Sequence, residues 1–324
     1  MSRPLAFAAA LLFAAVSVSS ACMARSADTL GETINFELKP ASMRGDLQLS
    51  LWERGDGHGS MNGNHYTPRE LVGLDHAAFS GPGRNPVTFA LVREPGRIDC
   101  SGVSKDSFAT GTCRFTADAN FANYLASQGI ARPTREEAFG LTMTGATRQL
   151  VQTLEANRYP RPSIDDLTAL AALEVTPRFI ADLAARGYKP KDLDELTQFA
   201  ALGITPDYID GLRRAGFTRL DGDEIVQFKA LGITPAFVNE MAGAGYRNLT
   251  TDELVQMKAL DITPQFIAGF ANAGFRNLSV DTLVQLKALD VTPEFIRSLE
   301  KHGLRARSAE DLVKLKVAGL DEAD

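Results

Sequence analysis

The sequence predicts an α+β protein: a small N-terminal antiparallel β-rich domain over residues 28–116, then an α-helical repeat array over 118–324. Thr-Pro pairs begin at Thr176, Thr205, Thr234, Thr263 and Thr292, each 29 positions after the last. A period of about 20–50 residues is the signature of a solenoid or array. Within each period the apolar residues recur at helical spacing. Before residue 118 they alternate instead in short runs such as Val87–Arg93, bounded by polar, glycine-containing turns, the pattern of strands.

Each 29-residue unit reads as two short helices. Threonine is a good N-cap because its hydroxyl accepts an orphan backbone N–H, and proline suits the first helical position. The aromatic two positions after the proline (Phe179, Tyr208, Phe237, Phe266, Phe295) belongs to an apolar stripe. So do the β-branched residue after it and Leu183, Leu212, Met241, Phe270 and Leu299. Gly187, Gly216, Gly245, Gly274 and Gly303 stand where a helix closes on a left-handed residue. A second cap follows at Asp192, Asp221, Thr250, Ser279 and Ser308, with an acid three residues on except at Thr282, so a capping box opens the second helix. Extending the register backwards finds degenerate units starting at Asp118 and Thr147, the latter with Arg158 in place of the glycine. The array therefore has about seven units, ending in an atypical terminal helix that serves as its cap.

The second helices carry two recurrent polar columns. Gln198, Gln227, Gln256 and Gln285 lie roughly opposite the apolar stripe. Lys229, Lys258 and Lys287, with Lys316 at the end, stand two positions on, nearer the core edge, where stems pack and ammonium groups reach water. These glutamines and lysines are the candidate partner-binding residues, a polar ladder for an extended partner. The plainer reading is a solvated face duplicated with its repeat. Ala230, Ala259 and Ala288 suit close helix packing.

In the β-rich domain Ile34–Leu38, Leu47–Trp52, Val87–Arg93, Arg97–Ser101 and Gly111–Phe115 are the strand candidates, and Thr67–Leu71 reads as a capped helical turn. Cys100 and Cys113 fall on the last two strands and are expected to pair across a hairpin in an oxidising compartment. The polar stretch Arg54–His65 reads as a flexible hairpin loop. Asp56, His58 and His65 are its metal-type side chains, but they lack the i,i+4 helical spacing or second cluster of a zinc site.

Residues 1–21 read as a signal peptide: Arg3 supplies the basic start and Leu5–Val18 an apolar run too short to span a bilayer. Ser19-Ser20-Ala21-Cys22 is a partial lipobox that makes Cys22 a candidate lipidation site; cleavage near Ala21, Ala24 or Ala27 is the other ending. Both predict a periodic array outside the cytoplasm, in the periplasm or secreted, anchored only if Cys22 carries lipid. A formal net charge of −6 supplies no dominant basic field for nucleic acid.

The units resemble the Leu-Gly-Ile/Val-Thr-Pro-x-Phe/Tyr repeats of exported bacterial proteins and of the C-terminal extracytoplasmic region of beta-lactam-sensor-like antirepressor metallopeptidases. Phe89-Ala90-Leu91 and Gly111–Thr116 resemble the domain that accompanies them. The resemblance implies an exported location and a signalling or interaction context. It does not bring peptidase activity, because this sequence has no His-Glu-x-x-His. The expected function is a non-enzymatic interaction module binding a protein or cell-envelope component, with no catalytic residue, cofactor or metal ligand assigned. The alternative is an enzyme or metal-binding protein with its site in the Gly/His-rich loop, built from Asp56 with His58, His65 or His76.

Overall fold

The computed structural model describes residues 33–41, 45–53 and 61–319. The signal peptide, Cys22, Asp56 and His58 lie outside these residues.

Alternating apolar residues build the first half of the chain. Strands β1 (Ile34–Pro40), β2 (Leu47–Glu53), β3 (Met61–Tyr66) and β4 (Leu71–Val72) precede a short helix α1 (His76–Ser80). Then come β5 (Asn85–Arg93), β6 (Gly96–Lys105) and β7 (Phe108–Ala117). They form one antiparallel seven-stranded sheet in the order β3-β2-β1-β7-β6-β5-β4. The period of two puts Ile34, Phe36 and Leu38 of β1, Leu49 and Leu51 of β2, and Ile98 of β6 on one buried face. Phe36 meets Phe89 edge-on with ring centroids 5.1 Å apart.

Two expectations about this half are corrected. The polar stretch ending at His65 is not loop throughout: Met61–Tyr66 pairs in register with β2 as the edge strand β3. A short, polar edge is how a sheet avoids templating another chain, and it hides the strand from hydrophobic patterning. The last hairpin is also longer than its apolar core suggests. Its turn is Asp106–Ser107, both left-handed (φ 52° and 63°), which is the requirement of a type I′ turn. Gly102 and Gly111 face each other inside the ladder. A Cβ on Gly102 would lie 2.2 Å from the Thr110 carbonyl oxygen, so backbone proximity, not a turn, demands glycine there. Thr67–Glu70 does form a capped turn, the Glu70 carboxylate accepting from the Thr67 N–H at 2.8 Å, but Leu71 already begins β4.

Cys100 and Cys113 face each other across β6 and β7 and form a disulfide, with Cα atoms 4.0 Å apart.

From residue 119 the described chain is helical, in seven pairs. They are α2 (Ala119–Ser127) with α3 (Arg135–Thr144), α4 (Arg148–Ala156) with α5 (Ile164–Ala172), and α6 (Pro177–Ala185) with α7 (Leu193–Ala201). Next are α8 (Pro206–Arg214) with α9 (Gly222–Ala230), and α10 (Pro235–Gly243) with α11 (Thr251–Ala259). The last two pairs are α12 (Pro264–Asn272) with α13 (Val280–Ala288), and α14 (Pro293–Lys301) with α15 (Ala309–Val317). First helices pack on first helices (α8 on α10, α12 on α14) and second on second (α5 on α7, α7 on α9, α13 on α15), giving a two-layered solenoid.

The capping chemistry repeats as its residues do. Each Thr-Pro threonine accepts the N–H three residues on, as Thr234 does from Phe237 at 3.1 Å. At the far end Gly187 (φ 70°) donates to the Ala184 carbonyl and Tyr188 to Leu183, a Schellman closure that satisfies two orphan carbonyls. Arg158, Glu174, Asp261 and Asp290 adopt the same left-handed conformation at equivalent helix ends. The departure at Thr282 is compensated: its hydroxyl lies 2.8 Å from that of Ser279, and its N–H still donates to Ser279 Oγ.

Helix α3 is the joint between sheet and array. Ala138, Phe139 and Met143 join the sheet core, while Leu141 joins the core of the first array units. Phe139 meets Phe115 of β7 edge-on at 5.4 Å. At the C-terminus of α3, Arg93 of β5 donates to the Met143 carbonyl at 3.0 Å and pairs with Glu70 at 2.9 Å. A cation there meets the negative end of the helix dipole.

Candidate interaction surface

Side chains on the array fall into rows because the units repeat. Gln198, Gln256 and Gln285 are exposed and Gln227 is half-buried, on the outward side of the second helices. Four positions earlier on the same helices stand Asp194, Asp223, Asp252 and Asp281, all exposed. Residues at i and i+4 share a helix face, so this face presents an acid row beside an amide row. The acids also sit in the first helical turn, where the dipole favours them.

The lysine column does more than reach water. Lys229 Nζ lies 4.7 Å from the centre of the Tyr208 ring, Lys258 4.6 Å from Phe237, and Lys287 4.9 Å from Phe266. Lys316 repeats the contact on Phe295 at 5.1 Å. Each lysine thus covers the aromatic of its own unit's first helix, a cation–π contact of about 0.5–1 kcal/mol at an exposed site. The pairing was legible in principle, since lysine and aromatic share the repeat period; what pattern reading lacks is how helix two folds back over helix one. Where Ala200 replaces the lysine, Phe179 remains half-buried without a cation above it. The lysines are therefore tied to the array's own packing, and the glutamines are the freer part of the predicted ladder.

Tyrosines bind unit to unit. Tyr208 donates to the Ile233 carbonyl at 2.7 Å and Tyr246 to that of Leu278 at 2.6 Å. Burial pushes the Tyr208 phenol up to about 12, so it stays a donor at any physiological pH. Glu195 is the array's buried carboxylate. It accepts from the Tyr188 hydroxyl at 3.1 Å and from the Lys191 N–H. It occupies space that a side chain at Gly222 would need.

The alternative site is not assembled among the described residues. His65 stands exposed on β3 and His76 exposed at the start of α1. Among the described residues no group of three or more His, Cys, Asp or Glu side chains is placed to hold a metal ion. Among the same residues no helix is long and apolar enough to cross a membrane.

Shallow grooves recur along one edge, between the connectors that join paired helices. One of ≈ 510 Å³ lies between the connectors at Gly216–Leu220 and Tyr246–Thr250, with Val238 and Ala242 on its floor. Another of ≈ 400 Å³ lies between Gly274–Phe275 and Leu304–Arg307, over Ile296 and Leu299. A groove of ≈ 590 Å³ sits on the opposite edge, where Arg93 and Glu94 of the sheet approach Thr147 and Pro177.

Comparison of the chain with known protein families, curated proteins and solved structures finds no match.

Proposed function

We propose that the protein is a non-enzymatic, exported interaction module whose helical array binds a protein or cell-envelope component. The observation that carries the reading is the array itself: fourteen helices among the described residues, in two layers with long repeated faces. Such a surface suits an extended partner and does not converge functional groups on one point. The disulfide Cys100–Cys113 fits an oxidising compartment, and the predicted signal peptide directs the chain to the periplasm or beyond. The resemblance of the units to sensor-linked repeats supports a signalling context. Anchoring through Cys22 would hold the array at a membrane surface, and Cys22→Ser would then move the protein from the detergent phase to the soluble fraction.

Capture from a cell-envelope fraction on the immobilised exported chain tests the reading. A saturable partner is expected, displaced by excess free protein and retained by the His65→Ala variant. A chain that retains nothing saturable, or one that shows turnover abolished by His65→Ala, contradicts it.

A further inference from the structure

One junction of the array is held by much less than its neighbours. Second helices pack on second helices at α3/α5, α5/α7, α7/α9, α11/α13 and α13/α15, whereas α9 and α11 stand further apart. The pair α8–α9 is therefore joined to the pair α10–α11 chiefly in the first layer, where α8 packs on α10. That contact is small. Gly211 lies in the middle of α8, and a Cβ there would come within 2.6 Å of Pro235 Cγ, so bare backbone meets a proline ring.

The flanking junctions are clasped by polar groups. On one side Lys191 reaches Asp223 at 3.0 Å and Arg186 reaches Asp210 at 2.7 Å. On the other, Tyr246 donates to the Leu278 carbonyl at 2.6 Å and Lys287 lies 3.9 Å from Asp261. Among the described residues no hydrogen bond or ion pair runs between α8–α9 and α10–α11; Tyr208 holds only the linker, at the Ile233 carbonyl. The residue one repeat before Tyr246 is Phe217, which packs edge-on against Phe228 at 5.2 Å and has no hydroxyl to donate. What separates the two connectors is the gap of ≈ 510 Å³ already described. Gly269 and Pro293 repeat the glycine–proline contact between α12 and α14, but there α13 packs on α15 and closes the second layer.

The linker from α9 to α10 can absorb rotation. Gly232 stands in it at φ 68°, and a Cβ on it would meet nothing nearer than Lys258 Cε at 4.0 Å. Hinges are a few connecting residues that take up the change in backbone dihedrals. Gly203 occupies the same place one repeat earlier, but that junction carries the clasps.

We propose that the array is hinged here: α10–α15 swing as one block against α2–α9, pivoting on Gly211 and Pro235 and changing the width of the connector gap. Leu212, Phe228, Ile233 and Phe237 share one core, so the blocks stay joined and the motion is a swing, not a separation. Gln198 and Gln227 ride on one block, Gln256 and Gln285 on the other. Anything lying along the amide row therefore selects one bend among those the free array samples. The inference rests on packing alone and stands whether or not the array binds a partner.

Pulsed electron paramagnetic resonance on the full exported chain, with Cys22→Ser, tests it. Nitroxides are placed on cysteines two units apart in one second-helix column: Gln198→Cys with Gln256→Cys, Gln227→Cys with Gln285→Cys, and Gln256→Cys with Lys314→Cys. Far-UV circular dichroism checks that each labelled chain is folded. The first two pairs span the hinge, and their distance distributions should be at least about twofold broader than that of the third. Gly211→Ala, which sets a methyl group against Pro235, should shift the mean distance of the first two pairs and leave the third unchanged. Equal widths in all three pairs overturn the proposal. So does breadth confined to the first pair or to the third, which would place the flexibility at a clasped junction or beyond it. Broad distributions that Gly211→Ala leaves in place also overturn it, because the pivot would not be the glycine–proline contact.

Discussion

The sheet and the array bury apolar side chains equally well but in opposite topologies. The sheet has one core, and β1 lies between β2 and β7, so residues near 36 and 111 are direct neighbours in the ladder. The array has three successive cores, each drawn from neighbouring units. A sheet built on one shared core can lose no inner strand without exposing the rest, whereas a solenoid's stability approximates a sum of unit and nearest-neighbour terms. Similar local damage should therefore spread through the sheet and stay confined in the array.

The largest effects break the two cores. Phe36 and Phe228 are both fully buried, so Phe36→Ala and Phe228→Ala should each cost about 3–5 kcal/mol. Urea unfolding should show a single broken transition for the first and a separated early transition for the second. Phe237 is a milder probe, since it lies at the core's rim under Lys258. Next comes the covalent tie: Cys100→Ser with Cys113→Ser should cost about 3 kcal/mol in the loop-entropy model, felt by the sheet alone. Non-reducing peptide mapping should show the two joined in the wild type.

The joint is the next point of attack. Arg93→Ala removes charge-assisted bonds to the end of α3 and the bridge to Glu70, at about 1.5–3 kcal/mol, and should uncouple sheet from array in the melt. Partial burial pushes the Glu70 carboxyl up. The N–H and hydroxyl of Thr67 with the Arg93 guanidinium outweigh it and hold Glu70 below its ordinary value. Its contribution is thus present above the unfolded pKa, about 4.3, and is lost as pH falls through the lower folded value. Glu70→Gln should flatten that part of the pH–stability curve.

Smaller effects test the repeat. Gly245 holds φ 101° at a helix end, so Gly245→Ala should cost about 1 kcal/mol and Gly245→Val more. Gln256→Ala, on the exposed face, should stay within about 0.5 kcal/mol of wild type by thermal melting. If it cost as much as Phe228→Ala, the amide row would be an internal network and the faces would be assigned wrongly.

What could be read from the sequence follows the same division. Thr234, Pro235, Gly245 and Thr250 act through residues three to five positions away, so caps, closures and the two-helix unit are written in the repeat itself. Cys100 and Cys113 were legible because one hairpin joins them. The strand order was not, since it depends on β1 meeting β7 across more than half the domain. Nor was α3's double role: Phe139 and Met143 look like another helical stripe until the sheet that covers them is in place. The lysine–aromatic contacts also depend on tertiary placement, because they require knowing how each second helix folds back over the first helix of its own unit.

Native-state hydrogen exchange on Phe228→Ala tests the central claim, that the array is a chain of local units beside one cooperative sheet. Protection should fall in α8–α11 and fade along the helices on either side, while β1, β6 and β7 keep wild-type protection; in Phe36→Ala all seven strands should lose it together. Equal loss in sheet and array for Phe228→Ala would show a single cooperative molecule and contradict the account.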